Sequence, residues 1–336
     1  MEPSRSASRV TGLDVARRAG VSKTAVSQVF GGTGRISAET TRRVLTAAAE
    51  LGYTPAHAAR SLRLGRTGLL SMVVPQVDNP YYPEIFAGAR EAAAERGYAI
   101  DLFAVADSEQ ARETLRRLGT GMADGVLVTC EDGTDELAPD LRRLRDRGMA
   151  VAVTHAAGPD ERIPGVRVDI EAGARLAMRH LLGLGHLRIA YVGNLAGASE
   201  ARHSAYREAL AEAGIGYDAA LTYGVEPTAR SGAEVAAQIS ATAVFAFNDL
   251  VAMGIVHGLA AAGVRVPEDV SVVGFDGIAV SEFTVPALTT VAHPRRELGR
   301  QAVWRLCDQL DGVAAAEDVV LTPSLVVRAS TLRVRT

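Results

Sequence analysis

The chain has 336 residues, 48% of them hydrophobic, enough to bury one or two substantial cores beside a small extra domain. Cys130 and Cys307 are its two cysteines and show no metal-ligand spacing, which speaks against a disulfide framework or a zinc site. The polar N-terminus and the lack of a long apolar run speak against a signal peptide and a membrane span, so a cytoplasmic protein is expected. The formal net charge of −3 hides an asymmetry. The first 66 residues hold eleven basic and four acidic side chains, the remainder 25 and 35. A basic head on an acidic body is the electrostatic footprint of phosphate binding.

Thr11 to Gly31 holds two short helical patterns separated by Ala19-Gly20-Val21. Leu13, Val15 and Ala16 give the first an apolar side, and Val21, Val26 and Val29 continue it into the second. Ser22 is a good N-cap type, and Gly20 suits a tight turn that needs positive φ. This is the pattern of a helix-turn-helix, whose second helix offers polar residues to a DNA major groove. A third helix fits from Ser37 to Leu51, stopped by Gly52. The Ala- and Arg-rich stretch from Pro55 to Gly68 is too short to form a stable helix alone and reads as a linker that becomes helical when held.

From Leu69 onward short apolar runs alternate with amphipathic helices. One set of strands is predicted at 69–74, 99–104, 125–129 and 150–154, with helices near 83–96, 108–118 and 136–147. A second set is predicted at 166–168, 189–192, 221–223, 243–247 and 270–275, with helices near 171–184, 202–213, 230–239 and 249–262. Such alternation predicts buried parallel sheets covered on both faces, and its repetition predicts two similar α/β lobes. Ligands of such sheets gather at the carboxyl ends of the strands.

The run from Asp14 to Ser27, LGYTP at 51–55, ARSL at 59–62, DNPYY at 78–82, LGHLRIAYVG at 184–193, FNDLVAMG at 247–254, VPEDVSVVGFD at 266–276, PALTTV at 286–291 and LVVRAST at 325–331 stand in a specific joint order. Together they resemble the transcription regulators of the lactose-repressor (LacI/GalR) family. The resemblance implies a three-helix headpiece (1–54), a hinge helix (55–66) and an effector-binding domain (67–336) like a periplasmic sugar-binding protein. It places 67–163 and 294–320 in an N-terminal lobe and 164–293 and 321–336 in a C-terminal lobe. It further implies a repressor that acts as a homodimer on a pseudo-palindromic operator and responds to a small molecule, a sugar or related metabolite, between the lobes. No cofactor, metal or membrane partner is implied.

Carried onto this sequence, the family's base-facing positions fall on Lys23, Thr24, Ala25 and Gln28, with Ser22 and Ser27 at cap and phosphate positions. Lys23 can donate to guanine or phosphate, and Gln28 has the paired donor and acceptor that suit adenine. Many relatives have Thr in place of Ala25 and Arg in place of Gln28, so the resemblance carries over the binding and not the half-site sequence. In the hinge, Leu62 matches the family's minor-groove wedge, flanked by Arg60 and Arg63. In the body, Asn79, Tyr81, Tyr82, His155, Arg202, Asp249, Phe275, Asp276 and His293 are the expected effector contacts. Where sugar-binding relatives often carry an acid and a Gln, this chain has His155 and His293, a protonatable pair that favours an anionic or less hydroxyl-rich effector. Asp249 also stands where a helix N-cap is expected. A solute-binding protein would fit the lobes but not the headpiece. The glycine-rich 31–35 follows a helix and lacks the phosphate-loop Lys-Ser/Thr, so no nucleotide enzyme is expected.

Overall fold

Helix α1 (Gly12–Ala19) starts on a reciprocal cap. The Thr11 amide and hydroxyl both donate to Asp14, at 2.9 and 2.6 Å, which holds the Asp14 carboxyl below its usual pKa. The helix ends at Gly20, whose φ of 64° is open to glycine at little cost. Helices α2 (Lys23–Gly31) and α3 (Ala38–Glu50) complete the headpiece. Val15, Ala16, Ala19, Val26, Val44, Ala47 and Ala48 form its core. From α3, Arg43 donates to the carbonyls of Ala19 and Gly20 at 2.6 and 3.2 Å, pinning the turn between α1 and α2.

This computed structural model describes residues 10–31, 36–53, 66–75, 77–130, 134–195, 200–313 and 317–334. The chain divides into two compact units, one ending at Gly68 and the other running from Leu69. Among the described residues no helix is long and apolar enough to cross a membrane.

The second unit contains two six-stranded sheets. The first has the order β11-β5-β4-β3-β1-β2, built from β1 (Leu69–Val74), β2 (Ala99–Ala104), β3 (Gly125–Thr129), β4 (Ala150–Thr154), β5 (Gly165–Val168) and β11 (Val319–Leu321). All its pairings are parallel. The second has the order β12-β10-β9-β8-β6-β7, from β6 (Ile189–Gly193), β7 (Thr222–Gly224), β8 (Ala243–Ala246), β9 (Ser271–Asp276), β10 (Thr289–Ala292) and β12 (Ser324–Val326). Only its β10–β12 pair is antiparallel. Each sheet is covered on both faces by apolar clusters, so the central strands are buried nearly throughout, not on alternate residues.

Helices α4 (Tyr81–Glu95), α5 (Ser108–Leu118), α6 (Ala138–Asp146) and α11 (Arg295–Leu310) pack on the first sheet. Helices α7 (Ile170–Gly183), α8 (Glu200–Glu212), α9 (Ala229–Val235) and α10 (Asp249–Ala261) pack mainly on the second. The chain therefore passes from one lobe to the other near 169, at 293–294 and at 322–323. One expectation is corrected. The strand at 166–168, assigned from sequence to the C-terminal lobe and its second series, lies in the first sheet, with Val153 opposite Gly165 and Thr154 opposite Val166. No helix separates it from β4, so the alternation of strands and helices gives no cue to its partner. A compact turn makes the connection. Gly158 packs on the Ile163 carbonyl, and Asp318 accepts from the amides of Gly158 and Gly165.

Candidate nucleic-acid interface and effector site

On the headpiece, Ser22 accepts from the Ala25 amide at 3.1 Å and so caps α2. Val26 turns inward to the core while Lys23, Thr24 and Ser27 are exposed, and Ala25 and Gln28 are half-buried. One side of α2 therefore offers an ammonium, hydroxyls and an amide to solvent, a set able to bond phosphates and base edges. Arg60, Leu62 and Arg63 lie outside the described residues.

In the second unit, seven of the nine expected effector residues converge at the carboxyl ends of the strands. Tyr81 and Tyr82 open α4 and stack edge to face, 5.4 Å apart. The Tyr81 hydroxyl lies 2.9 Å from His155 Nε2, just past β4, and 3.1 Å from His293 Nδ1, just past β10. Phe275, near the end of β9, meets the His293 ring edge to face at 4.9 Å. Arg202, from α8, lies over the rings of Phe247 and Phe275 at 4.2 and 4.5 Å. The Asp276 carboxylate stands 3.9 Å from both the Arg202 guanidinium and His293. His155 and Asp276 are the non-glycine residues with positive φ, 70° and 105°, among the described residues. Such backbone is costly, on the order of 1–3 kcal/mol each, and concentrates at ligand sites.

The electrostatics follow from burial. Burial and the Arg202 charge push the His155 pKa down to about 4 and the His293 pKa well below its ordinary value. Both imidazoles are therefore neutral near pH 7. His155 Nδ1, His293 Nε2 and Arg202 Nε are buried without a hydrogen-bond partner. Among the described residues no group of His, Cys, Asp and Glu could hold a metal ion.

Two expected contacts stand apart. Asn79 accepts from the Tyr81 amide at 3.0 Å and so fixes the start of α4. Asp249 is fully buried, and its oxygens accept from the Ile278 amide at 2.8 Å and the Thr290 hydroxyl at 2.5 Å. The N-cap of α10 is its neighbour Asn248, which accepts from the Val251 amide. Asp249 therefore ties α10 to the ends of β9 and β10 beneath Gly274, where a Cβ would lie 2.2 Å from its carboxylate. Burial pushes its pKa up to about 7.

Phe247 follows β8, at a strand end where sequence leaves core and site wall equally open. Other residues of the site were not singled out from sequence. Arg295 donates to Glu84 at 3.0 and 3.1 Å and to the Asp276 carbonyl, joining α11, α4 and the end of β9. The Tyr191 and His203 rings lie 5.1 Å apart, tilted to each other, with the Tyr191 hydroxyl and His203 Nε2 buried and unpartnered. In sequence Arg295 resembles a surface helix residue and Tyr191 an ordinary strand core residue.

A helix-turn-helix joined to a two-lobed α/β body with a polar cluster at the strand ends defines a ligand-responsive DNA-binding regulator. Residues 13–56 match "Bacterial regulatory proteins, lacI family" and residues 178–331 match "Periplasmic binding protein-like domain". The transcriptional regulator DegA of Bacillus subtilis is 33% identical, over 96% of this chain and 98% of its own. The transcriptional repressor PurR of Photobacterium profundum is 34% identical, over 94% and 97%. Among solved structures, the lac repressor dimer bound to operator and the anti-inducer ONPF has a TM-score of 0.83 at 27% identity, covering 96% of this chain and 99% of that one. A complex of the transcriptional regulator CelR with cellobiose has a TM-score of 0.71 at 32% identity, covering 96% and 100%. The chain belongs to the LacI family of bacterial transcriptional regulators. It is a sequence-specific DNA-binding regulator with an effector-binding domain.

Proposed function

We propose that the protein is a repressor that binds a pseudo-palindromic operator as a homodimer and releases or tightens its grip when a small metabolite enters the cluster around Tyr81, His155, Arg202 and His293. The carrying observation is that cluster, with its unpartnered buried nitrogens and strained backbone at the strand ends. Lys23, Thr24, Ala25 and Gln28 read bases, Ser27 holds phosphate, and Leu62 between Arg60 and Arg63 wedges the minor groove. Ser22 serves as a cap. Effector binding changes lobe closure and thereby the folding of the hinge on DNA, a coupling of typically about 1–3 kcal/mol.

Two outcomes test the DNA side. In gel shifts on a footprinted operator, Gln28→Ala is expected to relax base preference at one position at a cost of about 1–3 kcal/mol. Leu62→Ala should weaken specific binding while effector affinity stays. Unchanged operator affinity in Leu62→Ala removes the wedge.

The homodimer has its own support. Phe283 and Val285 are 79% and 92% exposed, with Val280 nearby at 40%. Large apolar side chains grouped in one short segment mark an association surface, and a second copy is the occupant we propose. Phe283→Glu is expected to shift sedimentation toward monomer and to weaken operator binding. A variant that sediments like the parent places the interface elsewhere.

A further inference from the structure

The hydrogen-bond state of Arg202 restricts what the cleft can hold. Its guanidinium is mostly buried, with side-chain exposure of 13%, and lies over two phenyl rings. Only the in-plane N–H groups remain for polar contact. Among the described residues Arg202 donates no hydrogen bond. Its nearest acid, Asp276 at 3.9 Å, is beyond hydrogen-bond length. The buried Nε–H without an acceptor is costly, and the acceptor that matches the fork it forms with a terminal nitrogen is a planar pair of oxygens.

The histidines add a second constraint. The Tyr81 hydroxyl has one proton and lies between His155 Nε2 and His293 Nδ1. With both rings neutral, it donates to one ring and accepts from the other. The open nitrogens, His155 Nδ1 and His293 Nε2, then comprise one donor and one acceptor, whichever way the hydroxyl turns. One added proton turns the remaining acceptor into a donor, so that both open nitrogens face a ligand as N–H.

The charged groups around the pair are Arg202, Asp276 and Arg295, the last paired with Glu84. Arg202 and Arg295 oppose protonation of His293, and Arg202 opposes that of His155. Asp276 favours it. An anion on the Arg202 fork offsets the opposing charge. We infer that the effector is a small carboxylate-bearing metabolite, a sugar acid or comparable organic acid, held by the Arg202 fork, and that the His155–Tyr81–His293 chain takes up a proton as it binds. The inference rests on the cleft being the effector site and names the chemistry of its ligand.

The test is a thermal-shift panel on the full chain, pairing glucose, galactose, ribose and arabinose with their aldonates and, for the hexoses, their uronates. Any acid that stabilises is then titrated calorimetrically at pH 6, 7 and 8, each in two buffers of different ionisation enthalpy. An acid is expected to stabilise where its parent sugar does not. Binding should take up protons, with Kd rising as pH rises, by at most about tenfold per pH unit for one proton. Arg202→Gln should lose the acid's stabilisation, and His293→Gln should bind it more weakly with a flatter pH profile. The wild-type proton uptake stands whether or not either variant folds. If no acid stabilises the wild type, or the bound acid takes up no proton, the inference fails. If a neutral sugar stabilises instead and Arg202→Gln abolishes that, the inference fails while the cleft remains the effector site. If Arg202→Gln and His293→Gln respond to the acid as the wild type does, the cleft itself is the wrong site.

Discussion

Gly88→Val is expected to lower the melting temperature of the effector-binding body by roughly 6–12 °C. A Cβ at Gly88 would sit 2.0 Å from the carbonyl oxygen of Arg296, and one at Gly299 would sit 2.0 Å from that of Ile85. These are backbone atoms, so α4 and α11 meet main chain to main chain and no rotamer change can make room. The helices would have to separate, loosening Ile85, Ala89, Leu298 and Ala302 in the first lobe's core. Overpacking of this kind costs about 3 kcal/mol or more, and in a body of this size each kcal/mol moves the melting temperature by about 2–4 °C. Gly183→Ala is the control. It lies in α7 with nothing within 4 Å of the new methyl, so a neutral effect or a gain of up to about 1 kcal/mol is expected. Circular-dichroism melts that placed both variants together would refute the close contact.

The second large effect is one of pH. Asp249 has its folded pKa raised from 3.8 to about 7. It holds its proton more tightly folded than unfolded, so the fold loses stability as pH rises from about 4 to about 7, and no more above that. At about 1.36 kcal/mol per pH unit the loss is on the order of 4 kcal/mol. His155 works the other way. Its folded pKa falls to about 4 from 6.5, so the stability it provides is lost as pH drops through that window. The two slopes oppose each other over nearly the same range. Asp249→Asn is therefore expected to unmask the histidine slope, with urea stability rising from pH 4.5 to 7 more steeply than in the parent. Parallel profiles for parent and variant would refute the buried, proton-holding carboxylate.

Much of this architecture is legible in the sequence. The runs predicted at 69–74, 99–104, 125–129 and 150–154 have the limits of the observed β1 to β4, because a strand's run is a local pattern. The headpiece turn is largely local, since Gly20 supplies its positive φ and Ser22 its cap, with Arg43 added from α3. Sheet partners are not local. β5 joins β4, and β11 joins β5 from about 150 residues away in sequence, pairings that no short pattern encodes. The site divides in the same way. Tyr81, His155, Arg202 and His293 stand at recognisable motif positions, but their shared hydrogen-bond chain is a product of the fold. Asp249 shows the converse, because a motif position that suggested ligand contact is occupied with holding three elements together. Arg295 and Glu84 are 211 residues apart and read as unremarkable helix-surface charges until the fold pairs them.

The three passages between lobes have a consequence for synthesis of the chain. Helix α11 and strand β11 belong to the first lobe, yet they leave the ribosome only after nearly all of the second lobe. About 140 residues lie between β5 and the end of α11, which at about 5–20 residues per second is a delay of roughly 7–30 s. Throughout it, Tyr82, Ile85, Ala89 and the glycine seat at position 88 face water without the helix that covers them. The second lobe must mature beside an unfinished one, so a newly made molecule passes through a stage when its apolar flank is open to chaperones or to other nascent chains.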